Sequence, residues 1–214
     1  MVTPLGTVEE IKNLCYQCEF HQVVESVNSI NQFEIDPEDY FTLQLFKSQA
    51  LFEMHRVSSS KSLLRDLAKH QPNQSDKYLY VMAKLCYLDQ DYSKAERLFL
   101  ILSDRSESVT DYFKAILGLA NTYYSLGRYH DIKKLLMEME ELADLVTLDE
   151  KLSYALIKAN SSYLLDDGIS QSKTIFHEVI KLAAQRKWTY FIVKSLYGLA
   201  TLHKHFGNAI RCSF

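Results

Sequence analysis

Asp111–Met139, DYFKAILGLANTYYSLGRYHDIKKLLMEM, is the stretch on which the reading of this chain turns. Ile116, Leu119, Ala120 and Tyr123 fall at i, i+3, i+4 and i+7, which gathers them on one face of a helix. Ile132, Leu135, Leu136 and Met139 repeat that spacing in a second helix. Gly127 stands between the two runs, where a glycine lets the first helix stop. One such hairpin leaves its apolar faces in water, so it must stack on others.

The pattern returns along the chain. Leu79, Met82, Ala83, Cys86, Tyr92, Ala95, Phe99 and Leu102 form the preceding unit, and Tyr92 and Tyr129 mark the same turn position, a step of 37 from 92 to 129. Leu156, Ala159, Tyr163, Ile169 and Phe176 outline the following unit; Leu196, Leu199, Ala200, His203 and Gly207 open another. Leu51, Leu64, Leu67 and Pro72 mark one upstream, and a first pair covers Val8 to Ile30.

Ile116, Leu119, Ala120, Tyr123, Gly127 and Tyr129 fill, in order, six slots of a helix–turn–helix pattern, and in this the chain resembles the tetratricopeptide repeat (TPR) family. Ile132, Leu136 and Met139 fill the last three slots with bulkier residues than that family uses. The resemblance implies an all-α fold, a right-handed α-α superhelix or solenoid of about five to six helical hairpins. It runs as one array over residues 1–214, with approximate units 7–33, 36–72, 75–105, 108–145, 147–186 and 188–214. The last unit is incomplete, with Ala209 to Phe214 read as the start of its second helix, so the chain is expected to be part of a longer protein.

Bulk composition agrees with a helical array: 214 residues hold only six glycines and three prolines. A net charge of −3 with both signs interspersed leaves no nucleic-acid footprint. No signal peptide and no membrane span are visible, and Cys15, Cys18, Cys86 and Cys212 show no disulfide framework. The expected location is therefore cytoplasmic. Start signals place the helices: Thr7 with Glu10, Asp36-Pro37, Ser58-Ser59-Ser60, and Thr147 with Glu150, the first and last as capping boxes.

Few residues group in a way that carries chemistry. Cys15 and Cys18 have the spacing of a metal or redox half-site, yet no second pair answers them and they fall at a helix end. His203 takes the slot of a core aromatic, and Asp166-Asp167-Gly168 reads as a turn. No phosphate loop, nucleophile elbow or zinc-protease motif is present. The expectation is a non-enzyme with no cofactor and no metal.

In the resembled family the first helices of the hairpins line a concave binding side. Carried over residue by residue, its slots give Lys12, Tyr16, Gln49, Phe52, Lys77, Tyr80, Lys84, Tyr87, Lys114, Asn121, Tyr124, Lys158, Ser161, Lys194, Tyr197, Thr201 and Lys204. Tyrosine supplies apolar area with a hydroxyl, and lysine complements a carboxylate, so the implied partner is a protein or peptide, acidic or extended. The full carboxylate-holding set of the chaperone-binding subset is not there, so that activity is not expected. The reading is an adaptor or scaffold; the alternative is a sensory or regulatory module of a signalling or transcription regulator with an output domain beyond residue 214. A third reading is a homo-oligomer through the C-terminal end, at Ile210 and Phe214.

Overall fold

A computed structural model describes residues 8–72, 74–165 and 168–211, with Leu165 and residues 205–211 described as backbone only. Eleven α-helices make up the described residues: α1 (Val8–Tyr16), α2 (Phe20–Ser29), α3 (Pro37–Glu53), α4 (Val57–Lys69), α5 (Asp76–Leu88), α6 (Tyr92–Arg105), α7 (Val109–Ser125), α8 (Tyr129–Leu142), α9 (Leu148–Leu165), α10 (Ile169–Gln185) and α11 (Thr189–Arg211). One 3-10 turn, Ala143–Leu145, joins α8 to α9, and no strand occurs among the described residues. Each helix packs on its neighbour in sequence, so the molecule is a succession of antiparallel hairpins. No described helix is long and apolar enough to cross a membrane.

The helix starts are set by side-chain caps. Asp36 Oδ1 accepts from the Glu38 N–H at 2.8 Å with Pro37 at the first helical position; Ser75, Asp91 and Ser108 cap α5, α6 and α7. Thr147 and Glu150 form the reciprocal contact of a capping box, the Thr147 N–H donating to Glu150 Oε2 at 2.9 Å. The Ser58–Ser60 run does not cap α4. Arg56 precedes that helix without a side-chain cap, and Ser60 is buried against α3, donating to the Ser48 carbonyl at 2.8 Å. Thr7 lies outside the described residues, as do Asp166 and Asp167.

The ends of α1, α3, α5, α7 and α10 share one device. Cys18, His55, Gln90, Gly127 and Lys187 all have φ between 58° and 71°. At each, the left-handed residue's N–H bonds back to the carbonyl three residues earlier and the next N–H to the carbonyl five earlier, as in Gly127 to Tyr124 and Arg128 to Tyr123. These are Schellman ends, which satisfy orphan carbonyls and reverse the chain within three residues. The first four recur at steps of 37, 35 and 37 (18, 55, 90, 127), which fixes the repeat in the backbone itself. Lys187 breaks phase, since it closes α10 rather than the first helix of a hairpin.

Packing between hairpins uses a ring against a glycine. An added Cβ on Gly118 of α7 would lie 2.4 Å from Phe99 of α6, and one on Gly198 of α11 would lie 2.2 Å from Phe176 of α10. Matching the glycines aligns 118 with 198. Phe113 and Ile116, 0% and 1% exposed on α7, then correspond to Val193 and Leu196, each 53% exposed on α11. His203, expected in a core slot, is exposed for the same reason: no described helix covers that side of α11. The α11 backbone also runs on through Gly207 to Arg211, so no second helix begins at Ala209.

The two ends of the array meet. Tyr16 of α1 is buried at 8% exposure, with its ring 5.1 Å from Trp188 and 5.0 Å from Phe191 by centroid. Its hydroxyl donates to Asp149 Oδ2 of α9 at 3.1 Å, and Trp188 Nε1 donates to Asn13 Oδ1 at 2.8 Å. Lys12 Nζ lies 2.9 Å from Asp149 Oδ1, an ion pair without hydrogen-bond alignment. The expectation that put Tyr16 and Lys12 on an open binding face is corrected here: the aromatic area of Tyr16 is spent joining α1 to α11, and Lys12 is neutralised at that junction.

Candidate functional site

Helices α3, α5, α7, α9 and α11, with Ser60 and Leu64 of α4 and Phe99 of α6, line a partly open chamber of about 570 Å³. Among the α3 residues that line it, Leu45, Gln49 and Phe52 are spaced to share one helical face, with Ser48 and Glu53 beside them. The equivalent positions follow on α5 as Tyr80, Lys84 and Tyr87, and on α7 as Leu117, Asn121 and Tyr124. On α9 the wall is Ser153, Leu156, Ile157 and Asn160; on α11 it is Tyr190 and Lys194. Side chains of one kind therefore recur at one level: Phe52, Tyr87 and Tyr124 aromatic; Gln49, Lys84, Asn121 and Asn160 polar; Leu45, Leu117 and Leu156 apolar with Tyr80 among them.

The aromatic level is braced by the hairpin turns. Tyr87 meets Tyr92 edge-on at 5.6 Å and Tyr124 meets Tyr129 at 5.8 Å, each pair spanning a Schellman end. The Tyr87 hydroxyl lies 3.1 Å from Ser125 Oγ, linking α5 to α7. Burial, with Tyr163 and Tyr129 close by, pushes the Tyr124 phenol up to about 12. The level therefore holds two phenols, those of Tyr87 and Tyr124, beside the apolar ring of Phe52.

At the polar level, Lys84 Nζ sits 5.2 Å from the centroid of the Tyr80 ring and Lys194 Nζ sits 5.1 Å from that of Tyr190, each over the aromatic one turn back on its own helix. Lys194 also pairs with Glu53 at 3.5 Å. Glu53 is the one carboxylate of the chamber wall among the described residues. Lys84 and Lys114 have no carboxylate within ion-pair distance among those residues. Asn121 Nδ2 donates to the Leu117 carbonyl at 2.8 Å, which turns its Oδ1 out as an acceptor.

The chamber thus brings together Gln49, Phe52, Tyr80, Lys84, Tyr87, Lys114, Asn121 and Tyr124 from the sequence reading, with Lys194. Other residues on that list go elsewhere. Lys77 pairs with Glu38 and lies over the Phe41 ring, which ties α5 to α3. Lys158 pairs with Glu140 of α8 at 2.8 Å and stacks on Tyr154, while Ser161 is buried and donates to the Ile157 carbonyl. Repeat alignment of α9 is off by one residue, and one residue turns a helix by about 100°. Asn160 and Leu156, which the sequence reading missed as site residues, hold the places it gave to Ser161 and its neighbours. Tyr197, 75% exposed, with Thr201 and Lys204, lies along α11 outside the chamber wall.

A second concavity, about 530 Å³, lies between α4, α5 and α6. Its charges answer one another, Arg65 and Lys61 to Asp89 and Lys94 to Asp91, so it offers little unsatisfied charge. Cys15 and Cys86 are buried free thiols; burial pushes Cys15 up to about 12, away from nucleophile or ligand chemistry. Among the described residues no group of three His, Cys, Asp or Glu side chains could hold a metal ion.

Comparison with known proteins adds no family. No family model matches the chain, and neither a curated protein nor a solved structure matches it.

Proposed function

We propose that this chain is a non-catalytic adaptor of the tetratricopeptide-repeat kind, five helical hairpins and the first helix of a sixth wound as a superhelix. It holds an extended segment of a partner protein in the chamber. The supporting observation is that equivalent positions of α3, α5 and α7 converge on one cavity with aromatic, polar and apolar levels. An extended chain presents side chains and backbone amides at regular intervals, and such a ladder answers both. Carboxamides at Gln49, Asn121 and Asn160 suit backbone groups, while phenols suit carbonyls. The free thiols fit a cytoplasmic setting.

The test is affinity purification with mass spectrometry, comparing wild type with a variant carrying Tyr80→Ser, Tyr87→Ser and Tyr124→Ser. Partners specific to the wild type should disappear from the variant while its helical circular dichroism is retained. Identical partner sets from both would refute the assignment of the chamber.

One observation favours the sensory alternative as a second reading. Glu53 and Lys194 link α3 to α11 across the chamber wall, beside the contact of α1 with α11. An occupant that displaces Glu53 from Lys194 would be felt at both ends of the array. Hydrogen exchange in α1 and α11 should then change when the chamber is filled; unchanged protection there removes this reading.

A further inference from the structure

Aligning α11 on α7 through Gly198 and Gly118 sets Val193, Leu196, Ala200 and His203 in register with Phe113, Ile116, Ala120 and Tyr123. The four on α7 are buried in one cluster with Ile132, Leu135, Leu136 and Met139, so α8 is the helix that covers them. The four on α11 are exposed. They fall at i, i+3, i+7 and i+10, the spacing of a seam that receives a second helix. Neither Val193 nor Leu196 lines the chamber, so this seam is a separate surface from the site already described.

The covering of α7 shows what an occupant of such a seam carries. Besides its apolar face, α8 brings acids to the helices beneath it: Glu138 accepts from the Tyr112 hydroxyl of α7 at 2.9 Å, and Glu140 pairs with Lys158 of α9 at 2.8 Å. Helix α11 is basic throughout, with Lys194, Lys204 and Arg211 and no aspartate or glutamate from Thr189 to Arg211. Two copies of α11 laid seam to seam would set cation beside cation with no acid to answer. We infer that the α11 seam docks an amphipathic helix of a partner protein, apolar at i, i+3, i+4 and i+7 as α8 is, with aspartate or glutamate flanking that face. The apolar stripe supplies the buried area, and the flanking acids select this partner over a second copy of the chain.

The probe is a fluorescein-labelled synthetic peptide of residues 128–146, which contains α8, titrated into the full chain and read by anisotropy. It should bind at least about tenfold more tightly than the same peptide carrying Glu138→Gln, Glu140→Gln and Glu141→Gln, by a margin that shrinks as salt is added. Val193→Ser with Leu196→Ser in the full chain should weaken binding at least about tenfold at an unchanged melting temperature, because both side chains face solvent. Lys204→Glu, also at an exposed position, should weaken the acidic peptide more than the amide peptide. Binding that survives Val193→Ser with Leu196→Ser would mean that the peptide replaces α8 on α7, and would overturn the assignment of the seam. Equal binding of the two peptides would overturn the acidic class of partner. Dimers in sedimentation that the same double substitution abolishes would give the seam to a second copy and overturn the partner. Binding of neither peptide would overturn the docking site itself.

Discussion

A non-glycine residue held at positive φ costs about 1–2 kcal/mol relative to glycine there. Cys18, His55, Gln90 and Lys187 carry that cost because the Schellman bonds around them close a helix end. Gln90 is exposed, so Gln90→Gly should stabilise the chain by about 1 kcal/mol. Gly127→Ala should destabilise it by about as much, although the space around Gly127 is open. Urea midpoints read both changes; unchanged midpoints would mean that these ends do not constrain the fold. Gly118→Ala acts through space instead. Its methyl would meet Phe99, at a cost of about 1–3 kcal/mol that Phe99→Leu in the same chain should partly restore. Additive effects in that double variant would count against the ring-on-glycine contact.

At the scale of the helix, apolar periodicity and caps made most elements legible. Asp36-Pro37 and Thr147 with Glu150 place α3 and α9 within a residue of their starts, and Gly127 marks a turn that the backbone uses. What stayed hidden has identifiable causes. Four of the five Schellman ends lack the glycine that would announce them. Leu156 and Asn160 were misassigned because α9 carries no glycine to fix its register. The role of Tyr16 was invisible because its partners, Asp149 and Trp188, stand well over a hundred residues away. Asp149→Ala probes the element that this misreading concerned. It strips Lys12 of its counter-charge and the Tyr16 hydroxyl of its acceptor, and with both acid and amine about 15% exposed the cost should be about 1–3 kcal/mol. Hydrogen exchange should rise in α1 while α5 to α7 keep their protection; uniform loss would mean that α1 does not dock as a separable element.

For the whole molecule, the contact between α1 and α11 changes what alkaline conditions do. Burial raises the Tyr16 and Tyr190 phenols well above the ordinary value near 10, and Asp149 reinforces the shift at Tyr16. The folded chain then keeps protons that the unfolded chain has released. The stability linked to these groups is intact below pH about 10 and is lost as the pH climbs through the raised folded values, a window that for Tyr124 extends to about 12. Urea midpoints should begin to fall above pH about 9, where the unfolded chain releases the proton that buried Cys15 keeps, and fall more steeply beyond pH about 10, and Tyr16→Phe should make that second fall shallower. A fall of equal slope in the variant would show that Tyr16 is not one of the groups responsible.

Trp188 is the only tryptophan in the chain, and it lies 2% exposed where the first and last helices touch. Its indole emission therefore reports on that seam and on nothing else. If the seam parts before the hairpins do, the emission will shift to longer wavelength at a lower urea concentration than the far-ultraviolet signal falls. The native chain thus carries its own optical gauge of whether the ring of helices opens before it melts.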